Sequence, residues 1–382
     1  MQTQWNILQP DLQLVDTIRE HLDCHPILAR ILANRRFMST DMVDTFLSPS
    51  MAALPSPENL VDMDKAVARI CTALQQDEKI LVVGDYDADG VTATAVLVDF
   101  LQASGARVQY HLPHRVEEGY GFSPEQVMQL ALPGKAGLII TVDCGTSSHE
   151  GVEAARRFGI DVVVTDHHNP ESSLPEALAV INPKRGGHSQ PLADLAGVGV
   201  AFYLAVALRA ALREQGWWDS RPEPNLKALC DFVAIGTIAD IVPLTGINRT
   251  LTRAGLEVMG TGARPGIQAL LQASGIRSSP VTAEDIAFRL APRINAAGRM
   301  AHARLAFNLL RACDPDKAGG LADTLNALNS RRQQTEGKIF REAVARIDNQ
   351  PGLADKKTIL LADTHWHEGV LGIVATTGLW FC

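Results

Sequence analysis

Between residues 79 and 182 the sequence repeats one rhythm: a short β-branched apolar run, a polar turn, then a helical stretch. KILVVGD precedes VTATAVLVDFLQAS, RVQYHLP precedes SPEQVMQLAL, GLIITVD precedes HEGVEAARRFG, and DVVVTD runs through a loop to ALAVINP. Runs of apolar residues without polar alternation are strands buried on both faces, and the helices between them are the crossovers that parallel pairing requires. The pattern predicts an α/β fold built on a doubly wound parallel sheet. In such sheets ligands gather outside the carboxyl ends of the strands. Upstream, residues 1–75 read as short amphipathic helices interrupted by PSPENL and ending in MDKAVARICTALQQ.

The acidic residues fall at those strand ends. Asp85, Asp87 and Asp89 follow the first strand in VVGDYDADG, Asp143 closes GLIITVD, and Asp166, His167 and His168 close DVVVTD. Asp240 ends another apolar segment, DFVAIGTIAD, and is expected to join the others as one more strand tip. Carboxylates so placed repel one another and lose hydration, so they raise one another's pKa unless a cation neutralises them. A metal centre follows from this. Several carboxylates with one or two imidazoles suit hard or borderline divalent ions such as Mn²⁺ or Mg²⁺, and so many ligands fit two ions better than one.

Other readings of the same residues are weaker. DYDADG begins a calcium-loop pattern, but its twelfth position is Val96 where a bidentate glutamate belongs, and a strand precedes it. A dinucleotide site is disfavoured because GDYDADG lacks GxGxxG and would meet a pyrophosphate with negative charge. Taken singly, Asp143 could cap a helix starting near Ser147, and either histidine could bond to backbone. Asp240 among Ala, Ile and Val is harder to dismiss, since an uncompensated carboxylate there costs several kcal/mol.

Composition narrows the class. The chain has 382 residues, of which 46% are hydrophobic and 20% charged, enough for two or three domains with cores. MQTQWNILQP has no basic start and no apolar stretch, and no run of about 18 apolar residues occurs, so neither a signal peptide nor a membrane span is expected. The expected location is the cytoplasm. Six cysteines without a CxxC pair fit reduced thiols. The net charge of −8 argues against indiscriminate adhesion to nucleic acid.

GDYDADG, TVDCG, VVTDHHNP and GTIADIVPL resemble, in order, four motifs of the DHH phosphoesterase superfamily, named for the triplet that is Asp166, His167 and His168 here. Within it, HRVEEGYGFSPE, LAGVGVAFYLAVALR and PRINAAGRM are similar to the bacterial RecJ family of exonucleases specific for single-stranded DNA. The resemblance implies one metal on Asp85, Asp87 and Asp143, and a second on Asp89, Asp143, His167 and Asp240, with Asp143 bridging. Some members carry a histidine four residues before the position of Asp87; that residue is Val83 here, which makes Asp85 the least secure ligand. The resemblance also places His168 against the scissile phosphate, Asp166 behind it as support for a histidine or the backbone, and Asn295 to Arg299 where Arg299 reaches the phosphate. It implies 5′-to-3′ release of 5′-mononucleotides in DNA repair and recombination. Single-strand binding protein and a helicase are the implied partners of a monomer.

One substrate clue is independent of that likeness. Between Arg293 and Arg341 nine Arg or Lys (Arg293, Arg299, Arg304, Arg311, Lys317, Arg331, Arg332, Lys338, Arg341) face four acids (Asp314, Asp316, Asp323, Glu336), a local +5 against −13 elsewhere. Such a track would steer a polyanion, with Arg293, Arg331 and Arg332 as candidate phosphate contacts. The solvated face of a long helix over 319–350 explains the same charges equally well. After that helix, DKKTILLADTHWHEGVLGIVAT resembles the opening strand and helix of a second α/β domain, DHHA1-like, over 351–382. The chain then stops in TTGLWFC, and the expectation is a truncated product exposing Trp380 and Phe381. The catalytic domain is expected over 76–318.

Overall fold

The structure is a computed structural model that describes residues 4–35, 37–185, 192–262, 264–276, 280–350, 352–353 and 356–378. Trp380 and Phe381 lie outside the described residues. Three short helices, α1 (Leu12–Leu22), α2 (Pro26–Asn34) and α3 (Thr40–Leu47), open the chain. Asp11 and Ser39 cap α1 and α3 by accepting backbone N–H bonds, as polar residues at that position do. They enclose a small core of their own, with Val15, Ile18, Leu32 and Val43 buried. The Arg249 guanidinium ties them to the rest, 3.8 Å over the Phe46 ring and donating to the Phe46 carbonyl at 2.6 Å. Helix α4 (Met63–Gln75), grouped by sequence with these helices, instead packs into the main core through Ala66, Ile70 and Ala73.

Five strands follow, β1 (Lys79–Val83), β2 (Arg107–His111), β3 (Ala136–Val142), β4 (Asp161–Thr165) and β5 (Ala179–Ile181). They form one parallel sheet in the order β2-β1-β3-β4-β5. Residues of the same strand alternate between two cores. Ile80, Val82, Leu138 and Ile140 face the larger one, whereas Leu81, Val83, Ile139 and Val162 face the smaller. Burial on both faces is why these strands read as unbroken apolar runs. From β1 the chain passes through α5 (Ala88–Ala103) to β2 at one edge, then returns across β1 to build β3, β4 and β5. The reversal opens a crevice between the carboxyl ends of β1 and β3.

Helices that border the sheet's carboxyl end or follow it include α6 (His149–Arg157), α7 (Gly197–Glu214), α8 (Cys230–Ala239), α9 (Ala291–Met300), α10 (Pro315–Asp348) and α11 (Glu368–Gly378). With 34 residues, α10 is about 51 Å long. It starts on an Asp314 cap with Pro315 in its first turn, four residues before the expected boundary. The strand expected at KKTILLA is not formed: residues 358–363 have no ladder, and Leu360 is exposed. No strand lies beside them among the described residues, and a lone segment without a ladder partner does not form a strand. The expected helix is present as α11, whose Val370 and Val374 pack on Ile339 of α10.

Candidate metal centre

The β1–α5 turn supplies the first three carboxylates. Asp87 caps α5, its Oδ1 accepting the N–H of Asp89 at 2.9 Å and of Gly90 at 3.0 Å. Asp89, in the first turn, accepts the N–H of Gly197 at 2.7 Å and of Val198 at 2.9 Å, so its charge sits on the positive end of α7. Asp143 follows β3 in a left-handed conformation, φ 59°, held by its own N–H to the Thr165 carbonyl at 2.9 Å. Gly197 closes over it: a Cβ there would lie 2.4 Å from Asp143 Oδ1. After β4, Asp166 Oδ1 accepts the N–H of His167 at 2.7 Å and stands 2.8 Å from His168 Nδ1. The other oxygen of Asp166 accepts the Thr146 N–H at 2.9 Å.

Asp240 arrives differently from the expectation. It is the C-cap of α8, not a strand tip. The run before it is buried from Cys230 to Ile238, and a helix apolar on every side has no period by which to tell it from a buried strand.

These side chains converge. Ligand atoms of Asp85, Asp87 and Asp143 lie within 4.8 Å of one another, and so do those of Asp89, His167 and Asp240. His167 links the two groups, with Nε2 at 3.1 Å from Asp143 Oδ1 and 3.7 Å from Asp89 Oδ2, and Nδ1 at 3.6 Å from Asp240 Oδ2. Among the described residues no Lys or Arg forms a salt bridge with any of the five carboxylates. Burial, reinforced by Asp87, pushes Asp85 up to about 7 and Asp240 up to about 6. Burial and the neighbouring carboxylates hold Asp89 and Asp143 well above the ordinary range. His167 is lowered to about 4 by burial and by His168. Asp166 is the exception: burial alone would raise it, but bonds from His168 and Thr146 take it down to about 2. Its bond in turn raises His168.

Three buried polar atoms in the cluster have no hydrogen-bond partner: Asp85 Oδ1, Asp143 Oδ1 and His167 Nδ1. Orphaned acceptors of this kind normally cost roughly 1–3 kcal/mol each, and more when charged. Two oxygens and an imidazole nitrogen are the donor set of a divalent cation, so the residues present fit such ions.

The rim is built by α9 and α10. Asn295 Oδ1 accepts the N–H of Ala88 at 2.8 Å, so the residue serves the start of α5. Arg299 donates to the Gly369 carbonyl at 3.1 Å, and burial lowers its pKa, helped by Arg115 and Arg332. Asn295, Arg299 and Arg332 line a cleft of about 580 Å³ together with Ile241, Phe288 and Ile373. Ile241 is a β-branched residue at φ 62°, 88% exposed, directly after Asp240, a backbone state such residues rarely adopt.

The basic track is not one surface. Arg293 bonds to the Arg289 carbonyl and to Asn326, and neither it nor the exposed Arg331 lines the cleft. Neighbours on a helix diverge by about 100°, so Arg331 and Arg332 cannot share a face. Arg311 is spent on Asp99 and Gln102. Three residues absent from the sequence-derived set stand beside the centre: Arg115, 4.6 Å over the Tyr86 ring; Tyr120, at His168; and Asn182, whose Nδ2 donates to the His168 carbonyl at 2.8 Å. Arg115 and Tyr120 lie in HRVEEGYGF, a segment singled out for its likeness without a role for each residue.

Residues 79–237 match the DHH family, N-terminal domain. The chain is 46% identical to the single-stranded-DNA-specific exonuclease RecJ of Dickeya dadantii, over 86% of this chain and 58% of that protein. It therefore spans less than two thirds of the length of this curated relative. A crystal structure of exonuclease RecJ bound to manganese superposes with a TM-score of 0.75 at 38% identity, covering 86% of this chain and 79% of the other. RecJ of Thermus thermophilus in complex with Mn²⁺ gives a TM-score of 0.80 at 34% identity, over 97% of this chain and 51% of the other. With the parallel sheet, the converging carboxylates and this extent of likeness in hand, the chain belongs to the RecJ family of DHH proteins.

Proposed function

We propose that this chain is a metal-dependent phosphodiesterase that degrades single-stranded DNA from 5′ to 3′, releasing 5′-mononucleotides, in repair and recombination. The observation that carries the reading is the trio of orphaned buried atoms, Asp85 Oδ1, Asp143 Oδ1 and His167 Nδ1, among carboxylates that no Lys or Arg of the described residues pairs with. Asp85, Asp87 and Asp143 would hold one divalent ion, and Asp89, Asp143, His167 and Asp240 the other. When bound, Mn²⁺ or Mg²⁺ ions supply charge that offsets the phosphoryl transition state and acidify water near neutral pH.

The chain's own groups do the rest. Asp166, ionised because its pKa lies at about 2, accepts from Nδ1–H of His168 and raises the imidazole's pKa, so that the ring protonated on both nitrogens offers Nε2–H to the phosphate. A donor so preorganised binds the transition state more strongly than the ground state. Arg299 puts positive charge on the wall of the adjoining cleft, Arg332 joins it while paired with Glu336 at 2.6 Å, and Ile241 and Phe288 give that wall an apolar surface for bases. The protein named RecJ from Dickeya dadantii supports the substrate class, since its name specifies single-stranded DNA. Single-strand binding protein and a helicase as partners and a monomeric state rest on the family resemblance. No helix among the described residues is long and apolar enough to cross a membrane.

The test is hydrolysis of a 5′-labelled single strand, of the matching duplex and of pyrophosphate, each with and without Mn²⁺. The proposal expects labelled mononucleotide from the single strand only, and only with metal. Equal turnover of pyrophosphate would assign the site to small substrates, and no turnover with bound DNA would make it a binding module.

A further inference from the structure

Tyr120 is oriented the wrong way round for a surface tyrosine. Such residues normally bury the ring and give the hydroxyl to water. Here the residue is 52% exposed, yet its hydroxyl points inward, 3.0 Å from His168 Nδ1 and 3.4 Å from the Asp143 carbonyl. The two rings meet edge to face, 5.5 Å apart at 68°. The backbone is shaped for this placement: Gly119 and Gly121 flank Tyr120 at φ 79° and 98°, and the next residue, Phe122, donates to Ser148 Oγ at 3.0 Å, which fixes the loop to the start of α6. Two left-handed glycines around one aromatic are a local shape that other residues adopt only at a cost.

The imidazole is therefore gripped from two directions. Nδ1 carries one proton, and two oxygens stand within reach of it, Asp166 Oδ1 at 2.8 Å and Tyr120 Oη at 3.0 Å. The hydroxyl has a proton of its own to give to the Asp143 carbonyl, so it can accept from Nδ1–H while donating to the turn that carries Asp143. Asp166 alone keeps the proton on Nδ1. A second partner out of line with the first fixes where the ring points and keeps water off Nδ1.

We propose that Tyr120 is a positioning residue for His168, holding the imidazole against Asp166 so that Nε2 keeps a single direction. What that direction serves rests on the phosphodiesterase reading above; the contact itself does not. The first test is independent of activity: nitrogen-edited NMR of the metal-free protein, with Tyr120→Phe keeping the ring and removing only the hydroxyl. The His168 Nδ1 proton should be observed in the parent and exchange with water at least about tenfold faster in the variant, the rest of the amide spectrum being unchanged. Equal exchange rates in the two proteins would overturn the proposal.

The second test is kinetic. Turnover of single-stranded DNA should fall by about 10- to 100-fold in Tyr120→Phe, the usual range for losing a group that orients a metal-site imidazole, with KM and the Mn²⁺ requirement unchanged. The same substitution should add little in a His168→Gln background. An undiminished kcat, or a loss that is fully additive with His168→Gln, would contradict it. A parent protein without nuclease activity would refute the phosphodiesterase reading instead, and the exchange measurement would still decide the contact.

Discussion

The same strands end in two charged clusters, and the two are solved in opposite ways. At the amino ends, Arg69 donates to Glu78 at 2.6 Å, to the Gly137 carbonyl at 3.1 Å and to Asp161. Each acid there has its counter-charge in the chain. At the carboxyl ends of β1, β3 and β4, Asp85, Asp89 and Asp143 are buried beside Asp87 and Asp240, and no Lys or Arg pairs with them among the described residues. A cluster complete in itself stabilises the fold. A cluster lacking its cations stores repulsion that ions from solution relieve, which is how one sheet keeps a structural end and a chemical end.

The sharpest way to break this comparison is Asp143→Ala. Removing the residue proposed to bridge the two ions should abolish hydrolysis, a loss on the order of 10³-fold or more, and at least one bound metal. Turnover assays with metal analysis check both; full occupancy with normal turnover would end the bridging assignment. His168→Ala should cost about 2.7–4 kcal/mol in transition-state binding, read from kcat/KM, and leave the metal content unchanged. At the opposite end of the sheet, Arg69→Ala should do the reverse. Stability should drop by about 2–3 kcal/mol in denaturant titrations, a buried-pair loss discounted for the half-open Asp161, with activity per folded molecule preserved.

The pH dependence distinguishes the two ends without mutation. In the metal-free protein Asp85 titrates at about 7 and Asp240 at about 6, against about 3.9 in the unfolded chain. Between roughly pH 4 and 7 the folded state thus binds more protons, and stability must fall as pH rises through that window. The raised His168 acts in the same direction; His167, lowered to about 4, opposes it below about pH 6.5. The melting temperature of the metal-free protein should decline from about pH 6.5 to about pH 8.5. Mn²⁺ at about 100 times its Kd should restore about 2.7 kcal/mol per ion at the upper end. The smallest effect belongs to the cleft: Arg332→Ala should flatten the salt dependence of single-strand binding by a slope of about 0.7, and Arg331→Ala should leave it unchanged.

How much of this was legible in the sequence depended on whether a signal survives projection onto one dimension. The sheet was legible because strands buried on both faces carry unbroken β-branched runs, and the turns after β1, β3 and β4 announced their acids at the strand ends. Asp240 was legible as a buried carboxylate but not as a helix cap, since Cys230–Ala239 is apolar on all sides. The basic track was legible only as a count of charges, which ignores direction. Arg311 belongs to Asp99, 212 residues away, and Arg331 points away from the cleft that Arg332 enters. Tyr120 was hidden for a different reason: a single aromatic between two glycines has meaning only once β2, β3 and β4 bring His168 beside it.

The central claim is that the carboxyl-end cluster exists to hold cations. Anomalous diffraction from a crystal soaked in Mn²⁺ tests it most directly. Two manganese peaks are predicted, one among Asp85, Asp87 and Asp143 and one among Asp89, His167 and Asp240; a well-ordered cluster with no peak between its side chains would contradict the account.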